Sequence, residues 1–191
     1  VGPKDKSKTL AAEHGLRFCA SPEEALTLGT GNLAVDGVLI IAEHGEYPLS
    51  ETGQHLYPKR RFFEAVAKVF SESGRAVPVF CDKHLSDNFD DAHWIYETAQ
   101  KLGAPLMAGS SVPLTWRHPP TDVDDSAALK EIVALSYHTP DAYGFHALEA
   151  VQALAERRKG GETGIASVRA VTGPAVFSEP GLYSRDLLDL A

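Results

Sequence analysis

Cysteine is scarce in this chain, which has only Cys19 and Cys81 among its 191 residues. Two cysteines cannot form a four-cysteine zinc site, and secreted proteins of this size usually carry more, so we expect both to be reduced thiols in a core. No apolar run reaches the roughly 18 residues that a membrane helix needs. The first ten residues contain no apolar segment of a signal peptide. The sequence therefore predicts a cytoplasmic protein with no membrane partner.

Positive charge is also in short supply. Lys and Arg together number 18 against 26 Asp and Glu, which gives a net charge of −8. Nucleic acids and anionic membranes attract clustered cations, so we expect no nucleic-acid partner. Several signature motifs are absent as well, namely HExxH, the P-loop, GxSxG and GxGxxG. The last absence means that this chain carries no glycine-rich cradle for a dinucleotide pyrophosphate.

Buried-strand patterns alternate with helical ones along the first half of the chain. The strand patterns are VDGVLIIA (35–42), VPVFCD (77–82) and APLMAGSS (104–111), and the helical ones lie at 60–74 and 87–103. The first strand is almost continuously aliphatic, which is typical of a central parallel strand covered by helices on both faces. Crossovers in a β-α-β-α-β order are nearly always right-handed, so the pattern predicts an α/β fold with a parallel sheet.

A Pro-rich and acidic stretch at 113–125 suggests a boundary, and we divide the chain into domains 1–118 and 119–191. The second domain is predicted to be α+β. Its segment 127–139 fits either a strand or a helix, residues 143–159 fit a helix, and residues 165–177 fit a strand.

Ligands of open parallel sheets bind beyond the carboxyl ends of the strands. That rule places residues 43–47, 82–84 and 110–117 along one crevice. Lys83 could present an ammonium group to a hydroxyl or carbonyl oxygen there, or it could be a surface lysine paired with Asp82.

Two other groupings could carry chemistry. His146 and Glu149 share a helix face at i, i+3, where His146 could transfer a proton or simply bond to a carbonyl in the core. A second grouping could hold a metal ion for a hydrolase or lyase, although its spacing matches no compact metal motif. It consists of Glu43, His44, Asp82 and His84.

Three stretches taken in order resemble the glucose–fructose oxidoreductase and inositol dehydrogenase (Gfo/Idh/MocA) family. They are residues 35–42, 77–109 and 143–154. Lys83 matches the lysine of the family's Glu-Lys-Pro motif, in which Asp82 and His84 replace the other two residues. His146 matches the family's catalytic histidine. The resemblance implies a Rossmann-like fold and an oxidoreductase that uses NAD or NADP on a sugar, polyol or related alcohol, with Lys83 and His146 as catalytic residues.

The resemblance also implies roles for neighbouring residues. On the cofactor side they are Ala42, Glu43, His44, Tyr47 and Asp82, and around the substrate they are Tyr143, Trp116 and Arg117. The family begins with a GxGxxG unit, so we expect this chain to be a fragment that starts in the second helix. Strand edges left open by that loss lead us to expect a homo-oligomer. A non-catalytic binding or assembly protein on the same scaffold is the main alternative.

Overall fold

The computed structural model describes residues 5–42, 45–120 and 122–190. They form two compact units that divide between Ser110 and Ser111. The sequence-based division after residue 118 falls inside the second unit. Among the described residues, none of the helices combines the length and apolarity that crossing a bilayer requires.

From its second helix onward, the first unit alternates helices and strands in the predicted order. Its elements are α1 (Ser7–Glu13), α2 (Pro22–Thr27), β1 (Val38–Ile40), α3 (Lys59–Ser73), β2 (Val79–Asp82), α4 (Phe89–Lys101) and β3 (Leu106–Gly109). Local signals explain several boundaries. The Ser21 side chain caps α2 by accepting the Glu24 N–H at 3.1 Å, and the Asn88 side chain caps α4 by accepting the Asp91 N–H at 2.8 Å. Gly74 ends α3 in the left-handed region at φ 60°.

The three strands form one parallel sheet in the order β1-β2-β3. Ile40 lies opposite Cys81, and Cys81 lies opposite Ala108. The prediction of a parallel sheet is therefore confirmed. The prediction that residues 35–42 form a central strand is wrong, because β1 lies at one end of the described sheet.

Within the described residues of the first unit, α3 and α4 pack on one face of this sheet while Leu39 on the other face is 71% exposed, so the prediction of two covered faces is also wrong. The strand order follows the chain order, and two right-handed crossovers then place α3 and α4 on the same side. The core lies between these helices and the sheet. Its members include Ile40, Val66, Phe63, Phe70, Val79, Cys81, Ile95 and Ala99.

The other face carries an apolar row formed by Leu39, Phe80 and Met107, which pair across the three strands. Leu39 is 71% exposed and Met107 is 65% exposed. Parallel sheets usually have both faces buried, so this open row sets the sheet apart from that norm.

The second unit is helical where it is regular. It contains a 3₁₀ turn (Val112–Leu114), a π-helical turn (Pro140–Gly144), α5 (Phe145–Ala155), α6 (Ala175–Ser178) and α7 (Arg185–Leu190). The predicted helix at 143–159 is confirmed in its first three turns. The described residues of this unit contain no strand, so the strand prediction at 165–177 is wrong, and 127–139 is neither strand nor helix. A strand needs a neighbour for its backbone groups, and the described part of the unit offers none.

Candidate functional site

The carboxyl ends of β1 and β2 lie side by side in the first unit, because Ile40 pairs with Cys81. Ala42 follows β1 and is buried, while Asp82 closes β2 and is half-buried. Glu43 and His44 lie outside the described residues. The predicted cofactor-side residues Ala42 and Asp82 therefore both stand at the strand ends, where parallel sheets bind ligands.

Lys83 follows directly after β2 and is buried, with 7% of its surface exposed. This burial contradicts the alternative of a surface lysine. The peptide bond from Lys83 to His84 is cis. Lysine is among the residues least often buried, so a buried lysine at the end of a strand makes this position a candidate functional site.

A second lysine, Lys59, is buried beside it with 1% of its surface exposed. Lys59 is the first residue of α3, and its Nζ donates to the carbonyl oxygen of Asp82 at 2.7 Å and to that of Lys83 at 3.2 Å. The start of α3 is thereby tied to the end of β2. Sequence analysis missed Lys59, although three cations in succession at 59–61 stand where helix starts favour acids.

Four rings line the same region. Tyr57 stacks with His84 and with His55, in each case with ring centroids 5.8 Å apart. Tyr47 meets Tyr57 edge-on at 5.4 Å. The cluster joins the loop after β1 to the turn after β2. Tyr47, a predicted cofactor-side residue, belongs to that loop. His55 and Tyr57 were not singled out from the sequence, because nothing in their spacing marks them.

A tight loop positions these rings. The Ser50 N–H donates to the Gln54 carbonyl at 2.8 Å, and the Leu56 N–H donates to the Pro48 carbonyl at 2.9 Å. These hydrogen bonds fold residues 48–56 into a closed loop that ends shortly before α3 begins. The loop is therefore organised by its own backbone rather than by an apolar core.

Tyr47 also depends on a glycine. A Cβ placed on Gly45 would lie 2.7 Å from Cζ of the Tyr47 ring, closer than such atoms approach. The ring therefore lies against the backbone of Gly45, and any larger residue there would displace it.

Cys81 lies one residue before the strand end and is 1% exposed. Burial raises the pKa of its thiol, so it stays neutral and packs as a small apolar group. The prediction of a core thiol is therefore confirmed for Cys81, and it is wrong for Cys19, which is half-buried and outside the core.

The second unit holds the other predicted residues, and it is described by itself. The Nδ1 of His146 lies 3.9 Å from Oε2 of Glu149, so the predicted shared helix face is confirmed. Tyr143 meets the His146 ring edge-on at 6.1 Å and lies 4.6 Å from the Tyr137 ring. The hydrogen bond to Tyr143 raises the pKa of Tyr137. Lys83 belongs to the first unit, so its catalytic pairing with His146 stays a prediction.

Arg117 and Trp116 differ in their surroundings. The Arg117 guanidinium contacts Asp122 at 3.2 Å, a carboxylate that also contacts Arg157 at 2.7 Å. Trp116 is fully exposed, with no part of its side chain covered in the described structure. Their roles at a substrate stay predictions.

The described residues contain no grouping of three or more His, Cys, Asp or Glu side chains able to hold a metal ion. Two members of the suggested metal set, Glu43 and His44, lie outside those residues. An apolar cavity of about 270 Å³ lies along β1 and α3, lined among others by Leu26, Ile40, Phe62 and Val66. None of its lining side chains is titratable, so the strand ends are the better candidate site.

The strand-end site thus combines two buried lysines, strand-end carbonyl groups and aromatic faces. Ammonium groups bind hydroxyl, carbonyl or carboxylate oxygens, and the rings can pack against a flat ligand. Such a site suits a small oxygen-rich molecule. No family model, curated protein or solved structure matches this chain.

Proposed function

We propose that the chain is an oxidoreductase with a Rossmann-like first unit, acting with NAD or NADP on a sugar, polyol or related alcohol. The observation that carries the proposal is the burial of Lys83, 7% exposed, directly after the middle strand of a parallel sheet. Buried titratable side chains at ligand-binding positions are candidates for catalysis, because such groups cluster at functional sites.

In this proposal Lys83 binds the oxygen of a substrate hydroxyl. In its amine form it takes the hydroxyl proton on Nζ as the C=O bond forms, and the resulting ammonium stays hydrogen-bonded to that oxygen. The bound nicotinamide would supply the acceptor for the hydride that leaves the carbon. Tyr47, Tyr57 and His84 offer aromatic faces to a planar ring, which fits the nicotinamide end of the cofactor. This chain has no GxGxxG turn for the pyrophosphate, so these contacts involve only the nicotinamide end of the cofactor.

The test is a titration of the whole chain with NAD⁺, NADH, NADP⁺ and NADPH, read by melting temperature. It is followed by an assay of cofactor reduction with a panel of sugars and polyols. We expect one cofactor pair to raise the melting temperature, because a ligand bound only to the native state stabilises it. Lys83→Met should lower turnover by about 100-fold or more, the usual contribution of a positioned acid or base.

Lys68→Met serves as the matched control, because Lys68 lies on α3 with 62% of its side chain exposed. It should leave both binding and turnover unchanged. No rise in melting temperature with any of the four cofactors would refute the proposal. Binding without turnover that is unaffected by Lys83→Met would instead favour the non-catalytic binding protein.

A further inference from the structure

Lys59 occupies a position that two physical rules disfavour. It is an ammonium group with 1% of its surface exposed, and it stands at the first position of α3. Burying a charge is expensive, and the amino end of a helix repels cations. An apolar side chain of similar length would avoid both penalties. Local conflicts of this kind are expected where a residue serves function rather than folding.

The contacts of Lys59 show what the ammonium group does. Its Nζ donates to the carbonyl oxygens of Asp82 and Lys83, at 2.7 and 3.2 Å. Those two carbonyls flank the backbone from which the Lys83 side chain leaves. One cation therefore fixes two successive peptide groups at the end of β2.

Two stacked rings belong to residues that are close in sequence to the partners of this contact. Tyr57 precedes Lys59 by two residues, and His84 follows Lys83 directly. The Tyr57 and His84 rings stack at 5.8 Å with planes 28° apart. The bond from Lys59 to Lys83 thus joins the two segments that carry these rings, and its loss should let the segments separate.

We propose that Lys59 is a positioning residue that holds the turn Asp82–His84 in its binding geometry and so places Lys83 and the ring of His84 toward a ligand. The effect on the turn is independent of the ligand, whereas the effect on ligand binding rests on the proposed function. Lys59 itself need not touch the ligand.

The test uses the whole chain labelled with ¹³C-histidine and compares ring resonances in the wild type, Lys59→Met and Lys68→Met. The His84 signal, assigned with His84→Gln, carries a ring-current shift from Tyr57 that Tyr57→Leu removes. We expect Lys59→Met to move the His84 signal to its position in Tyr57→Leu. His93 stacks on Phe89 at 5.8 Å within α4 and should not move, which reports an intact α4. If Lys59→Met fails to fold, Lys59→Gln takes its place, because the shorter amide cannot span both carbonyls. A His84 signal unchanged by the substitution would overturn the proposal.

A second measurement separates this proposal from the oxidoreductase proposal. NADH titration should give a dissociation constant about tenfold or more higher in Lys59→Met, because misplacing a contact group by about 1 Å can cost up to about 100-fold. If the wild type binds no NADH, the oxidoreductase proposal fails, while the His84 signal still decides the role of Lys59. If the wild type binds NADH and Lys59→Met binds it equally well, Lys59 does not position the site.

Discussion

Arg60 should contribute strongly to the docking of α3 on α4, and so to the placement of its neighbour Lys59. Its Cζ lies 3.5 Å from the centroid of the Trp94 ring on α4. Its Nη1 lies 2.8 Å from Oδ1 of Asp91, and its Nε lies 2.8 Å from Oε1 of Glu64. One guanidinium therefore makes three contacts, two of them across the helix pair.

The size of the effect follows from the exposure of these groups. The Arg60 and Asp91 side chains are 32% and 30% exposed, so solvent screens them in part. The contact with the Trp94 ring is worth about 1 kcal/mol at such a site. The pair with Asp91 adds about 0.5 kcal/mol, and the pair with Glu64 one turn along adds about 0.3 kcal/mol. Arg60→Ala should therefore lower the free energy of unfolding by about 2 kcal/mol.

Urea unfolding followed by far-UV circular dichroism measures this loss. A double-mutant cycle of Arg60→Ala with Trp94→Leu should give a coupling energy of about 1 kcal/mol. Arg61→Ala is the matched control, because Arg61 is the next residue of the helix and is exposed, and it should change stability by less than about 0.5 kcal/mol. A coupling energy below about 0.3 kcal/mol would show that the guanidinium does not join the two helices.

Two further predictions concern thiol reactivity and pH. In the native protein Ellman's reagent should modify Cys19 and leave Cys81 unmodified, because Cys81 is buried and burial raises its pKa; equal rates for both thiols would contradict this. The Ala20 N–H and then Arg17 hold the pKa of Glu24 below its ordinary value of 4.5. The Glu24 carboxylate thus stabilises the fold at pH values above 4.5, and this stabilisation is lost as the pH falls through the lowered pKa. Glu24→Gln should melt below the wild type at neutral pH, and the gap should close in acid; a gap that persists in acid would refute the assignment.

The alternation of strands and helices in the first unit could be predicted because its signals are local. Ser21 and Asn88 begin helices by accepting backbone N–H groups, and Gly74 ends one in the left-handed region. The parallel pairing then follows from the crossovers, which need only the order of elements.

The coverage of the sheet could not be predicted in this way. The aliphatic run at 35–42 is typical of a strand between two helical layers, yet Leu39 is 71% exposed. Which faces are covered depends on the order of strands in space, and a single strand's composition does not contain that information. The same limit applies to residues 165–177, since an apolar pattern becomes a strand only where another strand pairs with it.

The sequence predicted the strand-end residues Asp82 and Lys83 of the candidate site but did not identify the buried Lys59. Position alone identified Asp82 and Lys83, because residues after a buried parallel strand face the ligand side. Lys59 contacts them from 23 and 24 residues away in sequence, through hydrogen bonds that exist only after α3 has packed. The cations at the start of α3 were visible in the sequence, but only the fold shows that one of them is buried.

The open row of Leu39, Phe80 and Met107 has a consequence for how copies of the chain behave in concentrated solution. Each copy carries a net charge of −8, so electrostatic repulsion should keep the apolar rows of different copies apart in dilute buffer. Added electrolyte shortens the reach of that repulsion to about 10 Å at 0.1 M, and sulfate also strengthens apolar attraction. We therefore expect ionic strength to govern association of this chain: low-salt buffers should keep the copies dispersed, and salting-out conditions should draw them together through the exposed row of Leu39, Phe80 and Met107.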